Sequence, residues 1–411
     1  MKQEVRDVLV LGAGPAGSSL AQRLARAGLS VTLADRKVFP RFKPCGEFLS
    51  PECLPQLADL GVKDSVEARG ARSIVGMRLF GYQRRARGEF RDIGASARPH
   101  DGGWAVRREV LDHELVLAAA ARPEVEWLEG WSFVRLLREA AGDVTGAVLR
   151  HPAQGERTVR ARWTVGADGV SSRVARELGV QHRVPWLDKL ALTTRYRGVP
   201  ELDSAEVHVF PGGYFAATAV EDGLFSLNLV VDRACVRERA GSWDEWFAEH
   251  LARVPELAER MQHAQRVDRV RGIGPLAFRT REQVFDGAAL CGDACGYVDP
   301  MTGEGIWFAL RGAELLAGEL TAAIHAGATQ GSALRGYVRA RRREIGPRLF
   351  VSSLLQRGLR HEGVARTVLG ALQRRPGLAD LLVSFSGDYV RFRELLRPGV
   401  WQAALARGDA A

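Results

Sequence analysis

Val8-Leu9-Val10-Leu11-Gly12-Ala13-Gly14-Pro15-Ala16-Gly17, with Asp35 eighteen residues after its last glycine, is the stretch whose reading decides the fold. The apolar run Val8–Leu11 predicts a buried strand. Gly12, Gly14 and Gly17 then fall at the spacing G-x-G-x-x-G, and Leu20 and Leu24 share one face of the predicted helix that follows. A second apolar strand ends at Asp35. Each glycine has its own task in binding a dinucleotide: the first makes a tight turn, the second lets backbone approach a pyrophosphate, and the third lets helix and strand pack closely. The helix N-terminus offers unpaired N–H groups and a positive dipole end to phosphate. Asp35 is placed to accept hydrogen bonds from a ribose diol, and the strand–turn–helix context separates this stretch from a chance glycine-rich turn.

Outward from that stretch, 411 residues suggest two domains and a helical tail. The apolar fraction of 46% and charged fraction of 26% suit a globular enzyme. A formal net charge of +9 invites a nucleic-acid reading. The charge is nearly all arginine, with five lysines, and the arginines are scattered among acids, so no nucleic-acid partner is expected. Cys45, Cys53, Cys235, Cys291 and Cys295 show no metal-ligand spacing, so no metal is expected. With no signal peptide before the first strand and no apolar run near the ~20 residues of a membrane span, a cytoplasmic protein is expected. Any membrane association is expected to be peripheral, through the C-terminal helices.

Alternation at 72–94 and strand-like segments at 186–232 read as antiparallel strands interrupting the nucleotide-binding pieces. The expected fold class is α/β. A discontinuous Rossmann-like domain (1–70, 100–180 and 280–325) carries an inserted antiparallel-sheet substrate domain (71–99 and 181–279), with a helical region at 326–411. Ligand sites favour such interfaces.

Two further motifs stand at predicted strand–helix junctions. Gly166-Ala167-Asp168-Gly169 precedes Ser171 and Ser172; Asp168 either reaches a bound polyol or phosphate, or it caps the helix. Gly292-Asp293-Ala294 is followed by Pro300 and by Thr302-Gly303-Glu304-Gly305-Ile306, which opens a long helix. The backbone at Gly303–Gly305 and the helix N-terminus behind it suit negative charge on a reduced ring.

The three motifs together resemble those of the FAD-dependent aromatic hydroxylase and geranylgeranyl reductase superfamily, over about the first 325 residues. The resemblance implies FAD as cofactor. It implies contacts from Gly12, Gly14, Ala16, Gly17, Asp35, Arg36, Cys45, Gly46, Arg108, Asp168, Gly292, Asp293, Pro300, Gly303, Gly305 and Ile306. Arg107, beside Arg108, leaves that assignment open by one position.

Phe42-Lys43-Pro44-Cys45-Gly46-Glu47 and Thr302–Ile306 look like the corresponding segments of the geranylgeranyl reductase branch. That likeness implies hydride delivery to a C=C bond, with Cys45 and Glu47 as catalytic residues that assist protonation. On its own residues Cys45 reads equally as a small side chain in a tight loop. That branch's Y-x-W-x-F-P segment is matched here by Gly213-Tyr214-Phe215-Ala216-Ala217-Thr218-Ala219, without its tryptophan and proline.

The alternative is an FAD-dependent monooxygenase using NAD(P)H and oxygen, although Cys295 stands near the histidine of that branch's G-D-A-A-H. A flavin-dependent halogenase is a further alternative, on the likeness of Gly46–Pro51 to G-E-S-L-x-P. A non-enzymatic dinucleotide-binding regulator is the reading from another class. The expected substrate is a hydrophobic isoprenoid- or polyketide-type molecule, in a pocket walled by Phe210, Tyr214 and Trp307, with NAD(P)H as electron donor.

Overall fold

A computed structural model describes residues 4–93, 102–140, 142–239, 241–387, 389–390 and 392–406. The expected segment ends at 1–3, 94–101 and 407–411 lie outside these described residues. At the centre is a parallel sheet ordered Ala288–Leu290, Gly155–Gly166, Arg6–Leu11, Val31–Asp35, Val125–Glu129. Val8–Leu11, the inner four residues of Arg6–Leu11, are a continuous apolar run because both faces of the strand are covered there. Val8 and Val10 pack under the helices Pro15–Arg26 and Gly305–His325, while Leu9 and Leu11 face a second cluster around Leu149 and Val159. Burying one such side chain contributes about 1.5–3 kcal/mol.

Two glycines in the opening turn have no substitute. Gly12 sits at φ +105°, and a Cβ there would lie 2.5 Å from the Ala167 carbonyl oxygen. A Cβ on Gly17 would fall 1.8 Å from the Gly12 oxygen, inside any contact distance. Sterics alone therefore demand glycine at both positions.

The second large sheet runs Gln265–Arg266, Lys189–Arg197, Leu224–Asp232, Gly213–Val220, Ser204–Phe210, Gly76–Gly81, Arg84–Glu89. It draws strands from both sides of Arg108–Ala120, and its neighbours are antiparallel except Ser204–Phe210 with Gly76–Gly81. Its period-2 alternation gives it two different faces. Leu227, Leu229 and Phe215 pack under Trp246 and Phe247 of the helix Trp243–Ala252. Val207, Val209, Tyr214 and Val230 face the nucleotide half and the C-terminal helices.

A three-stranded ribbon of Phe48–Leu49, Gly103–Ala105 and Arg72–Ile74 ties the halves together. Its pairing Phe48↔Ala105 and the bond from Val106 N–H to the Glu47 carbonyl (3.0 Å) fix the loop after Asp35 against the start of Arg108–Ala120. The helices Gly346–Leu359, Glu362–Arg374 and Pro376–Ser386 close over the insertion sheet. Gly88 lets Pro376–Ser386 approach its strand; a Cβ there would stand 2.3 Å from the Ala379 oxygen.

Candidate active site

A cleft with an empty volume of about 1300 Å³, partly open to solvent, runs between the nucleotide sheet and the insertion sheet. Gly14, Ala16, Cys45, Gly46, Glu47, Arg108, Asp293, Pro300, Gly303, Gly305 and Ile306 all line it. Residues separated by up to 292 positions thus meet along one wall.

At one end the helix Pro15–Arg26 begins at Gly14 with no side chain capping its N–H groups. The Arg41 and Arg108 guanidinium nitrogens lie 3.5 and 3.9 Å from where a Gly14 Cβ would be. Arg108 is 3% exposed and forms a two-bond pair with Asp112 (2.7 and 2.6 Å), which also meets Arg41 at 3.0 Å. Burial alone would raise the Asp112 pKa, but Arg108 and Arg41 overcome it and hold the carboxyl below its usual range. Arg107 turns away and pairs with Glu221 and Asp222 of the insertion sheet's turn. Uncapped amides and two guanidinium groups around room left by a glycine fit a pyrophosphate.

Asp35 accepts from Ala13 N–H (2.9 Å) and Lys37 N–H (2.8 Å), so it braces the glycine turn it was expected to extend. Arg36 is exposed. Asp168 Oδ2 caps the helix Arg173–Glu177 through the N–H groups of Arg173 (2.7 Å) and Val174 (3.3 Å). Its Oδ1 is buried with no hydrogen-bond partner among the described residues, and burial pushes its pKa up. An acceptor left open beside Ala167 and Gly169 of the cleft wall suits a ligand hydroxyl. Gly292 packs against Ala16 and Ala309, so its part is to seat the motif on the first helix.

Farther along, Lys43 Nζ approaches Asp293 Oδ2 at 3.8 Å. Burial, reinforced by Arg108, lowers the Lys43 pKa against the opposing pull of Asp293 and Asp112. Cys45 Sγ accepts from Glu47 N–H at 3.4 Å. Glu47 has φ +56° and is fully buried on Arg195, which also holds Glu109 (2.8 and 2.7 Å) and Asp268 (3.3 Å). Burial raises the Glu47 pKa despite the Arg195 charge. The guanidinium of Arg195 thus clamps the cysteine loop to the insertion sheet from beneath Phe42, whose ring centroid is 5.1 Å away.

Tyr214 lines the cleft, but Phe210 and Trp307, expected with it, do not. Phe210 stands one register position from the inward Val209 and therefore points to the opposite face, against Phe215 and His250 (centroids 5.7 and 6.3 Å). Trp307 is one residue, about 100° of helix, past the lining residue Ile306, and packs in the core under Arg348 (4.1 Å). The Tyr214 hydroxyl donates to Asp299 (2.6 Å), which also takes Gln356 Nε2 (2.7 Å) and lies 3.2 Å from Lys189. Burial, then Asp299, lifts the Tyr214 pKa well above its ordinary value.

Met77, Val207 and Met301 also wall a second, smaller chamber. Leu79 and Val209 form its sheet side, and Val351, Leu355, Leu359, Leu372 and Leu382 its helical side.

Sequence reasoning missed Arg41, Lys43, Asp112, Arg195 and the Lys189–Asp299–Gln356 group. Arg108 and Asp112 are four apart on a helix, and that spacing was a usable signal. Lys189, Asp299 and Gln356 have no local signature at all.

A family model described as an FAD binding domain matches residues 6–348, most of the chain. Digeranylgeranylglycerophospholipid reductase 2 of Methanothermobacter thermautotrophicus is 29% identical over 411 residues, covering 95% of this chain and 98% of its own. 1H-pyrrole-2-carbonyl-[peptidyl-carrier protein] chlorinase of Pseudomonas fluorescens is 23% identical, covering 77% and 76%. The solved structure of a flavin-dependent brominase superposes with a TM-score of 0.82 at 21% identity, over 99% of each chain, which shows a common fold. Reductases and halogenases thus stand side by side among the relatives. By that match the chain belongs to the FAD-binding-domain family and is an FAD-dependent oxidoreductase, and the uncapped amides, arginines and open aspartate acceptor of the cleft suit such a cofactor.

Proposed function

We propose that the protein reduces a C=C bond in a long apolar molecule of isoprenoid or polyketide type. The observation that carries this reading is the largely apolar chamber that shares Met77, Val207 and Met301 with the Cys45 cleft as a common wall. A chain of many methylenes gains about 0.8 kcal/mol for each one buried there. The relatives named as digeranylgeranylglycerophospholipid reductases support the same substrate class.

Bound FAD supplies the two-electron step. Arg41, Arg108 and the N-terminus of Pro15–Arg26 hold its phosphates, and Asp168 and Asp293 its polyol. The Gly303–Gly305 backbone and the N-terminus of Gly305–His325 would stabilise negative charge on the reduced ring. Cys45, which lines the cleft, would be the residue to supply the proton that completes reduction of the C=C bond. Glu47, expected as a catalytic acid, is instead locked by Arg195 through both carboxylate oxygens and would set the Cys45 loop. The aliphatic walls keep water from the reacting carbons.

Turnover of a polyprenyl substrate under anaerobic conditions with pre-reduced flavin tests the reading. A product heavier by two hydrogens supports it. A product that forms only with oxygen and carries labelled oxygen, or only with added halide, overturns it. NAD(P)H is the proposed electron source, checked by loss of flavin absorbance on mixing the purified protein with it. Loss only after a separate reductase is added would refute direct donation.

A further inference from the structure

Two features of the C-terminal region remain outside that mechanism. The first is charge. Residues 335–375 hold eleven arginines against two glutamates, a net +9, and the formal net charge of the whole chain is also +9. All other residues together balance, so the basic excess resides in this one segment, contrary to the scattered distribution expected from the linear reading.

The second feature is an apolar stripe in the middle of that charge. Phe350 and Leu354 lie a helical turn apart on Gly346–Leu359 and are 64% and 59% exposed. The opposite stripe of the same helix, Arg348, Ser352 and Gln356, is buried. Val364 and Val368 of the next helix are 46% and 41% exposed. Val364 reaches within 3.4 Å of a Cβ at Gly358, which joins the two stripes into one surface. Val368 also lines the apolar chamber, so patch and chamber share a side chain.

We infer that the face made by Gly346–Leu359 and Glu362–Arg374 docks on a bilayer containing anionic phospholipid. Along these two helices Arg357, Arg360, Arg366 and Arg374 are exposed beside the apolar stripe, while Arg348 is buried on Glu52 and Glu304. Such exposed cations meet headgroup phosphate, and the apolar side chains enter the acyl boundary. No helix of the described residues is long and apolar enough to cross a membrane, so the contact lies in the interface plane. With Val368 shared by patch and chamber, docking would bring an apolar molecule in the bilayer next to the chamber wall. That last step rests on the reading of the substrate; the docking itself does not.

Sedimentation of the flavin-loaded protein with phosphatidylglycerol/phosphatidylcholine vesicles, with no substrate present, is the test. Binding is expected to these vesicles and not to phosphatidylcholine alone. It should weaken as salt is raised, since about 10 Å of screening length remains at 0.1 M. The double variant Phe350→Glu with Leu354→Glu should bind on the order of tenfold or more weakly while keeping its flavin and its near-ultraviolet circular dichroism.

No binding of the parent to anionic vesicles overturns the inference. So does a double variant that binds like the parent, which would mean attraction to any polyanion, nucleic acid included. A parent that is dimeric in solution, with the double variant monomeric, also overturns it, because a second copy would then cover the patch. Vesicle binding is read without catalysis, so failure of the alkene-reduction reading leaves this result standing, and the reverse holds as well.

Discussion

The two ends of the cleft are built on opposite principles. At the nucleotide end, Arg41, Arg108 and Asp112 form a buried charged cluster beside an uncapped helix terminus, and backbone positions are dictated by glycine. At the far end, Met77, Val207, Leu355 and Leu372 offer only shape and apolar surface. One end recognises by charge and by donors held in fixed positions, so it tolerates little change. The other recognises by volume, and volume is shared among many side chains from the sheet and three helices. A family can therefore hold its cofactor end steady while its substrate end drifts. That contrast is consistent with reductases and halogenases both appearing among the relatives of this chain.

The sharpest break at the cofactor end is Gly17→Val. The added atoms would collide with the Gly12 oxygen, 1.8 Å from the first of them. Purified variant should carry no flavin and show no flavin absorbance; a yellow variant would mean the turn has another conformation.

Asp112→Asn comes next. Removing the shared anion leaves Arg108 buried without its partner, a loss of about 3–5 kcal/mol in urea unfolding at neutral pH. The folded-state pKa of Asp112 lies below its unfolded value, so its contribution is fully present above the unfolded pKa. That contribution is lost as pH falls through the folded value. The gap between parent and variant should therefore close in acid; a gap that is constant with pH would show that Asp112 acts through something other than its charge.

At the far end, Leu355→Trp should raise KM for a long-chain substrate by roughly tenfold or more, with flavin content unaffected. An unchanged KM would place the substrate outside the chamber. The smallest functional effect belongs to Phe210→Ala. It should cost about 1–3 kcal/mol of stability with no change in KM, since the ring packs on the far side of the sheet. A raised KM would restore Phe210 to the pocket wall.

Legibility followed the same divide. The glycine turn, Asp168, Asp293 and the Pro300–Ile306 segment could be read because each couples a residue type to a local backbone shape next to a strand end. Asp35 was legible as an acceptor for a ribose diol, but not as the brace of the turn that its bonds from the Ala13 and Lys37 amides make it. The choice between Arg107 and Arg108 could not be read, because neighbours on a helix entrance differ only in direction. The structure turns Arg108 to Gly14 and sends Arg107 to Glu221. Trp307 and Phe210 failed for the same reason: each is one position away from a residue that lines the cleft (Ile306) or the chamber (Val209).

By itself the sequence determined the cofactor family, the α/β class and where the flavin motifs stand, because steric and hydrogen-bonding demands on a βα turn act within a few residues. Only the tertiary structure decided which side chains share the cleft, that Arg195 clamps the Cys45 loop, and that three late helices close an aliphatic chamber over the insertion sheet. Those outcomes depend on strand parity, helix rotation and contacts between residues more than a hundred positions apart, and no local pattern encodes them.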